Sequence, residues 1–366
     1  MTDLFLPEIL EQPSTMLAAA RGVHDQVPAL ELLRASAEKA RHVVLTGMGS
    51  SHDVCLAVAS VLGSAGVLAT TVNTAELVHF RLPTLGPDTL LIAVSQSGRS
   101  AELVRLARDR AANGTRSALV SVTNGLDNEL AAEADVALDT CGGDEFGPSS
   151  KTYAASCVML AALARVLAGE SPRDVSEVVA TLTADAAREA SVLLEEPRVV
   201  ARAMTDWLGK RTSLLIVGRG TARAAAEVGA LVMKEAATFA AESLDAAEFR
   251  HGPLELAGPR LAVAIIATEP STGVLDRQLA EEVAAHGSAV LLVTADRSDG
   301  VNSERTGVAL TTTESGIHTL AIRSLDRLLA PAVGVIPFQL LAWQLALDAG
   351  RSPGLFVAGA KVTTKE

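Results

Sequence analysis

The stretch LIAVSQSGRSAEL, residues 91–103, decides the fold. Leu91-Ile92-Ala93-Val94 is an apolar run with the composition of a buried strand. It stops at Ser95-Gln96-Ser97-Gly98, and Arg99-Ser100-Ala101-Glu102-Leu103 opens a helical pattern. A strand that feeds a helix through a tight polar turn is the building block of a parallel α/β sheet. The turn fits neither GxGxxG nor GxxxxGK(S/T), so neither common nucleotide fingerprint accounts for its hydroxyls.

The same pattern recurs on either side. Strand candidates in the first half are HVVLTG (42–47), LATTVN (68–73), TLLIAVS (89–95), SALVSVT (117–123) and DVALDT (135–140). The second half offers SLLIVG (213–218), TFAAESL (238–244), RLAVAII (260–266), AVLLVTA (289–295) and GVALTTT (307–313). Helical segments rich in Ala and Leu separate them. Continuously apolar strands are expected where helices cover both faces of a parallel sheet. The chain therefore reads as α/β, with two doubly wound domains related by duplication. Each has a five-stranded parallel sheet flanked by helices. The expected divisions are an N-terminal arm (1–30), a first domain (31–170), a helical linker (171–200), a second domain (201–345) and a C-terminal tail (346–366).

Composition narrows the function. The net charge of −12 argues against nucleic acid as the main partner, because neutralising phosphates needs a basic face. The three cysteines, Cys55, Cys141 and Cys157, have no CxxC or Cys/His ligand spacing. They read as reduced structural thiols in a cytoplasmic protein, with no metal. MTDLFLPEILEQP has no signal-peptide pattern. The uncharged run Val54–Ala75 divides at Gly63 and Gly66 into helix, turn and strand. LLAPAVGVIPFQLLAWQLAL (328–347) is long enough to span a bilayer. Pro331, Pro337, Gln339 and Gln344 interrupt it, so a buried core helix is expected and no membrane partner.

In doubly wound sheets ligands sit beyond the carboxyl ends of the strands, where the strand order reverses. Ser95, Ser97 and Ser100 fall there on the third strand, and Gly47-Met48-Gly49-Ser50-Ser51 on the first. Helix N-termini with free N–H groups and added hydroxyl donors suit a phosphate. Each serine taken alone could simply cap a helix. Two such loops on neighbouring strands favour an anion site. The third strand of the second half ends in ATEPSTG (267–273), where Glu269 would repel phosphate. One anion site per chain is therefore expected.

SQSGRS and GMGSSH resemble the phosphate loops of SIS (sugar isomerase) domains. The chain is similar to the double-SIS isomerase half of glucosamine-6-phosphate synthases and to SIS-type amino-sugar-phosphate deaminases. The resemblance runs through EILEQP (8–13), GPSSKTYAAS (147–156), LVMKEAATFAAESLDAAEFRHGPLEL (231–256), PFQLLAWQLAL (337–347) and AKVTTKE (360–366). It implies a phosphate held by Ser51, Ser95, Gln96, Ser97 and Ser100, with sugar contacts near Gly147 and Ser149. It implies that Glu235 moves a proton between C1 and C2. His251 would assist ring opening from a neighbouring subunit, hence a homodimer. Lys361 would help open the ring and form a Schiff base with a ketose. Glu242 matches a second acidic position. No cofactor is implied.

The chemistry is reasonable on its own terms. Moving a carbonyl between C1 and C2 needs one base that takes and returns a proton, and a half-buried carboxylate can be tuned for this. Glu235 closes an Ala-rich helix among apolar neighbours, although a solvated Lys234-Glu235 pair would read the same way. Histidine titrates near the pH at which sugar rings must exchange protons. Leu355, Phe356 and Val357 are expected to dock the tail that carries Lys361.

The pattern also departs from the synthases. No cysteine nucleophile of a glutaminase precedes the first domain, so release of ammonia is expected rather than synthesis. Val232 stands where the synthases have a lysine, FVAGA replaces PRNLA before Lys361, and Arg99 replaces a commonly acidic residue. The expected reaction is glucosamine 6-phosphate plus water to fructose 6-phosphate plus ammonia. A fructosamine-6-phosphate deglycase or another aldose–ketose isomerase is the near alternative. A non-catalytic sugar-phosphate sensor is the distant one.

Overall fold

Among the residues described by the computed structural model (2–112, 117–295, 310–313 and 315–365), the chain builds two sheets. They lie in two compact units. One contains residues 14–145, 151–184 and 357–366; the other contains residues 1–13, 146–150 and 185–356.

The first unit holds β1 (His42–Gly47), β2 (Ala69–Asn73), β3 (Thr89–Ser95), β4 (Ala118–Thr123) and β5 (Val136–Asp139). They are parallel, in the order β2-β1-β3-β4-β5. All of β3 is buried, as its uninterrupted apolar run requires. Val44, Leu91, Leu103, Leu106, Leu119 and Leu130 pack into one cluster on one side of this sheet. The strand order reverses between β1 and β3, so the carboxyl ends of these two strands flank the crevice.

The second unit holds β6 (Ser213–Gly218), β7 (Ala240–Asp245), β8 (Leu261–Ala267), β9 (Ala289–Thr294), β10 (Thr311–Thr312) and β11 (His318–Ala321). Their order is β10-β11-β9-β8-β6-β7. Five strands are parallel, as expected, but the fifth is β11 and not the 307–313 segment. Residues 307–309 lie outside the described residues, and Thr311–Thr312 pairs antiparallel with β11. The chain reverses here: Thr313 N–H donates to Ile317 O at 2.9 Å, and Gly316 adopts φ +78°. Glycine takes that conformation without steric cost.

The apolar 328–347 run forms the helices Ala330–Gly334 and Ile336–Asp348. It is the one stretch among the described residues long and apolar enough to cross a membrane, and 83% of its most apolar window is buried inside the protein. Two of its polar groups find partners within the unit. Gln339 Oε1 accepts from Gln12 at 2.8 Å, and the Trp343 indole donates to Asp3 at 2.7 Å. Those partners mark a core helix that anchors the N-terminal arm.

Candidate active site

Both loops of the first sheet's crevice are built around glycines. A Cβ on Gly47 would meet the Ser51 and His52 backbone at 2.7–2.8 Å. The Ser50–Ser64 helix can thus start directly against the end of β1. Gly49 turns the chain with φ +54°. Gly98 takes φ +64°, and a Cβ there would lie 1.9 Å from Asn128 Oδ1. The need for glycine at 98 therefore comes from a neighbouring side chain as well as from the turn. Gly98→Ala is expected to lose roughly 2–4 kcal/mol of stability, from the left-handed conformation plus overpacking, read as a lower denaturation midpoint.

Asn128 is the organiser on that side. It caps the Glu129–Ala132 helix by accepting from Ala131 N–H at 2.9 Å. Its amide donates to Gly125 O at 2.9 Å and to the Thr123 hydroxyl at 3.2 Å. Leu130 N–H donates to Gly98 O at 3.1 Å. Arg99 joins the same brace: its guanidinium donates to Asp127 O at 3.0 Å and lies 3.6 Å from Glu129. Its charge is thus spent on the loop behind the turn.

Two of the serines make local turn bonds. The Ser95 hydroxyl accepts from Gly98 N–H, and the Ser97 hydroxyl from Arg99 N–H, both at 3.1 Å. Neither bond consumes the hydroxyl proton, so each oxygen is oriented while its hydrogen stays available to donate. Ser95 is buried; Ser51, Gln96, Ser97 and Ser100 are half-buried. The N–H of Ala101, the first residue of the Ala101–Ala112 helix, donates to Thr363 O at 3.1 Å. The last residues of the chain therefore reach this crevice.

Lys361 comes with them. Its ammonium lies 2.5 Å from Glu145, whose side chain is fully buried while that of Lys361 is 22% exposed. Glu145 also accepts from Thr152 N–H at 3.1 Å and from its hydroxyl at 2.6 Å. The sequence singled out Lys361 but not Glu145 or Thr152. Of the three apolar residues expected to dock the tail, Phe356 is half-buried, while Leu355 is 48% and Val357 88% exposed. Polar bonds do the work, because FVAGA offers too little apolar surface to anchor ten residues.

Asn124 ties the crevice together. Its N–H donates to Gln96 O at 3.1 Å, while its side chain holds Gly142 N–H and Gly143 O, both at 2.7 Å. All three thiols are unsuited to nucleophilic work. Burial pushes Cys157 up to about 12 and Cys55 higher still. Burial, then Asp139, pushes Cys141 up to about 11.

The other expected residues lie in the second unit. Gly147 is buried, and its N–H donates to Glu8 at 3.0 Å; Ser149 is half-buried beside it. Glu235 is half-buried in the last turn of the Ala222–Ala237 helix. Glu242 sits on β7, exposed, 3.7 Å from Lys234. His251 is exposed and ends the Ala246–Arg250 helix; Gly252, with φ +122°, opens the Pro253–Leu256 turn. Among the described residues, no cluster of His, Cys, Asp and Glu could hold a metal ion.

Comparison with known proteins bears on the family and the fold. The glutamine–fructose-6-phosphate aminotransferase (isomerizing) of Pyrobaculum aerophilum is 30% identical over 99% of the chain and 57% of its own length. That of Aeropyrum pernix is 32% identical over the same shares. The chain thus spans a little over half the length of these relatives. In fold it matches the C-terminal domain of the Francisella tularensis glucosamine-fructose-6-phosphate aminotransferase, with a TM-score of 0.80 at 21% identity, covering 97% of this chain and 98% of that one. It also matches the Thermotoga maritima glucosamine-6-phosphate deaminase, with a TM-score of 0.69 at 18% identity over 98% and 99% of the two chains. The family model for the SIS domain matches residues 37–166 and 208–347, and the chain belongs to the SIS domain family, carrying that domain twice.

Proposed function

We propose that this protein is an amino-sugar-phosphate deaminase/isomerase that converts glucosamine 6-phosphate and water to fructose 6-phosphate and ammonia. The observation that carries the reading is the meeting of the Ser95–Ser100 turn with the tail bearing Lys361. One provides hydroxyl and amide donors for a phosphate, the other a primary amine for a sugar carbonyl. Ser51, Ser95, Gln96, Ser97 and Ser100 bind the 6-phosphate, and Gly147 and Ser149 contact the sugar. Lys361 assists ring opening, with Glu145 fixing its ammonium. His251 exchanges protons with the ring oxygens. Its exposure on one chain suits delivery to a second copy in a homodimer.

Once the ring is open, Glu235 takes the proton from C2 and returns it to C1. The aldehyde becomes a CH2OH group and the C2 amine an imine. Water adds to the imine carbon, and ammonia leaves as the ketone forms. Neither redox chemistry nor a cofactor enters the balance. A buried Val232, where the synthases have a lysine, favours deamination over glutamine-driven synthesis. Glu242 supplies negative charge within β7 without a defined step.

The test is to give purified protein glucosamine 6-phosphate and measure fructose 6-phosphate and ammonia together. Equimolar release supports the reading. Release of an amino acid from a fructosamine 6-phosphate, without deamination, would replace it by the deglycase. Tight binding of sugar phosphates with no turnover would make the protein a sensor.

Ser97→Ala is expected to lower kcat/KM about 10–100-fold, mostly through KM, because a hydrogen bond to a charged group contributes roughly 1.5–3 kcal/mol. The check is to compare sugars with and without the phosphate. Equal rates on both would count against the phosphate role.

A further inference from the structure

The second unit contains the same crevice, and it is filled. GRGTA (218–222) repeats the turn of GMGSS (47–51). A Cβ on Gly218 would meet the Ala222 backbone at 2.8 Å, as one on Gly47 would meet Ser51. Gly220 and Gly49 both have φ +54°. The register is shared too: Thr46 pairs with Ala93, and Val217 with Ile265. Counting on from those pairs, Glu269 stands where the first unit has Ser97.

Glu269 does not merely repel. Its carboxylate accepts from Thr221 N–H at 3.0 Å and from the Thr221 hydroxyl at 2.6 Å. The Arg327 guanidinium donates to both of its oxygens at 3.0–3.1 Å. Glu269 is only 4% exposed, and a Cβ on Gly220 would lie 2.9 Å from its Oε1. An oxyanion thus occupies this loop, held by a helix-start amide, a hydroxyl and an arginine fork, which is the donor set that phosphate sites use. Burial pushes the carboxyl's pKa up, but the Thr221 and Arg327 bonds outweigh it and hold it below the usual range. Thr268, next in the chain, is more than nine-tenths buried with a hydroxyl that has no partner among the described residues.

We infer that the second unit is a complete oxyanion site whose ligand is built in, and that removing the Glu269 carboxylate opens it to a small tetrahedral oxyanion such as inorganic phosphate. The native loop is closed to solute anions, and Arg327 is the cation that an incoming phosphate would inherit. This stands whether or not the first unit binds a phosphosugar.

The experiment measures thermal unfolding of wild type, Glu269→Ala and Glu269→Gln in inorganic phosphate and in chloride of matched ionic strength. Each is made in a Ser97→Ala background to suppress the first crevice. Glu269→Ala is expected to melt lower in chloride and to recover in phosphate by several-fold more than wild type gains, since a ligand stabilises only the state that binds it. Glu269→Gln, whose amide still fills the space, should show no such recovery. Adding Arg327→Ala to Glu269→Ala should abolish it. A crystal of Glu269→Ala grown in phosphate should hold an anion on Thr221 N–H. An unchanged phosphate response in folded Glu269→Ala would overturn the inference. So would its failure to fold in both salts while Glu269→Gln folds, which would make the side chain at 269 structural filling and not a built-in ligand.

Discussion

Glu235→Gln is expected to reduce turnover of glucosamine 6-phosphate about 10³-fold or more while the sugar phosphate still binds. Glutamine keeps the size and polarity of the side chain but cannot take a proton from C2. General-base contributions of about 10²–10⁴ set the scale. The position suits the task. The Ala222–Ala237 helix buries Val232, Met233, Ala236 and Ala237 around it, so a partly desolvated carboxylate is presented on rigid backbone. Thr238 then ends the helix in a left-handed conformation, φ +48°, with its N–H on Lys234 O at 3.1 Å. That cap fixes the last turn. The check is single-turnover kinetics alongside equilibrium binding, with exchange of the C2 proton into solvent followed separately. Turnover within a few-fold of wild type would remove Glu235 from the proton path.

Lys361→Ala should have the next largest effect, about 10²–10³-fold in kcat. It removes both the amine proposed to meet the sugar carbonyl and the cation that Glu145 holds. Burial makes the second loss costly. A carboxylate without its partner in a dry site can cost roughly 3–5 kcal/mol, although the Thr152 amide and hydroxyl remain to soften it. Activity should therefore be read well below the unfolding temperature. Lys361→Arg separates the two roles. It restores the charge against Glu145 but cannot deprotonate or form an imine. Recovery of stability without recovery of kcat is expected. Equal activity of the arginine variant would reduce Lys361 to a charge that holds the tail.

Most of the architecture was legible in the apolar runs because parallel strands covered on both faces leave little room for polar residues. β11 was missed for the opposite reason. His318-Thr319-Leu320-Ala321 is short and only partly buried, whereas the threonines at 311–313 looked more strand-like. The serine loops stood out in the sequence because hydroxyls and glycines gather at two neighbouring strand ends, although each serine alone could cap a helix. Glu145 was not, since its partner Lys361 is 216 residues away and only tertiary structure brings them together. Glu269 was legible as a misplaced acid; Arg327, 58 residues on, was not legible as its counter-charge. Arg99, which replaces a commonly acidic residue, could not be read as a partner of the Asp127 carbonyl and Glu129.

The exchange of short segments between the units also bears on biosynthesis. Residues 357–366 belong with a unit otherwise made from residues 14–184, and residues 1–13 with one made mainly from 185–356. A chain emerging from the ribosome can form β1 to β5 early, yet the Ala101 amide and the Glu145 carboxylate wait for Thr363 and Lys361. Local folding of β1 to β5 therefore leaves the crevice without its Thr363 and Lys361 partners until residues 361–363 are present.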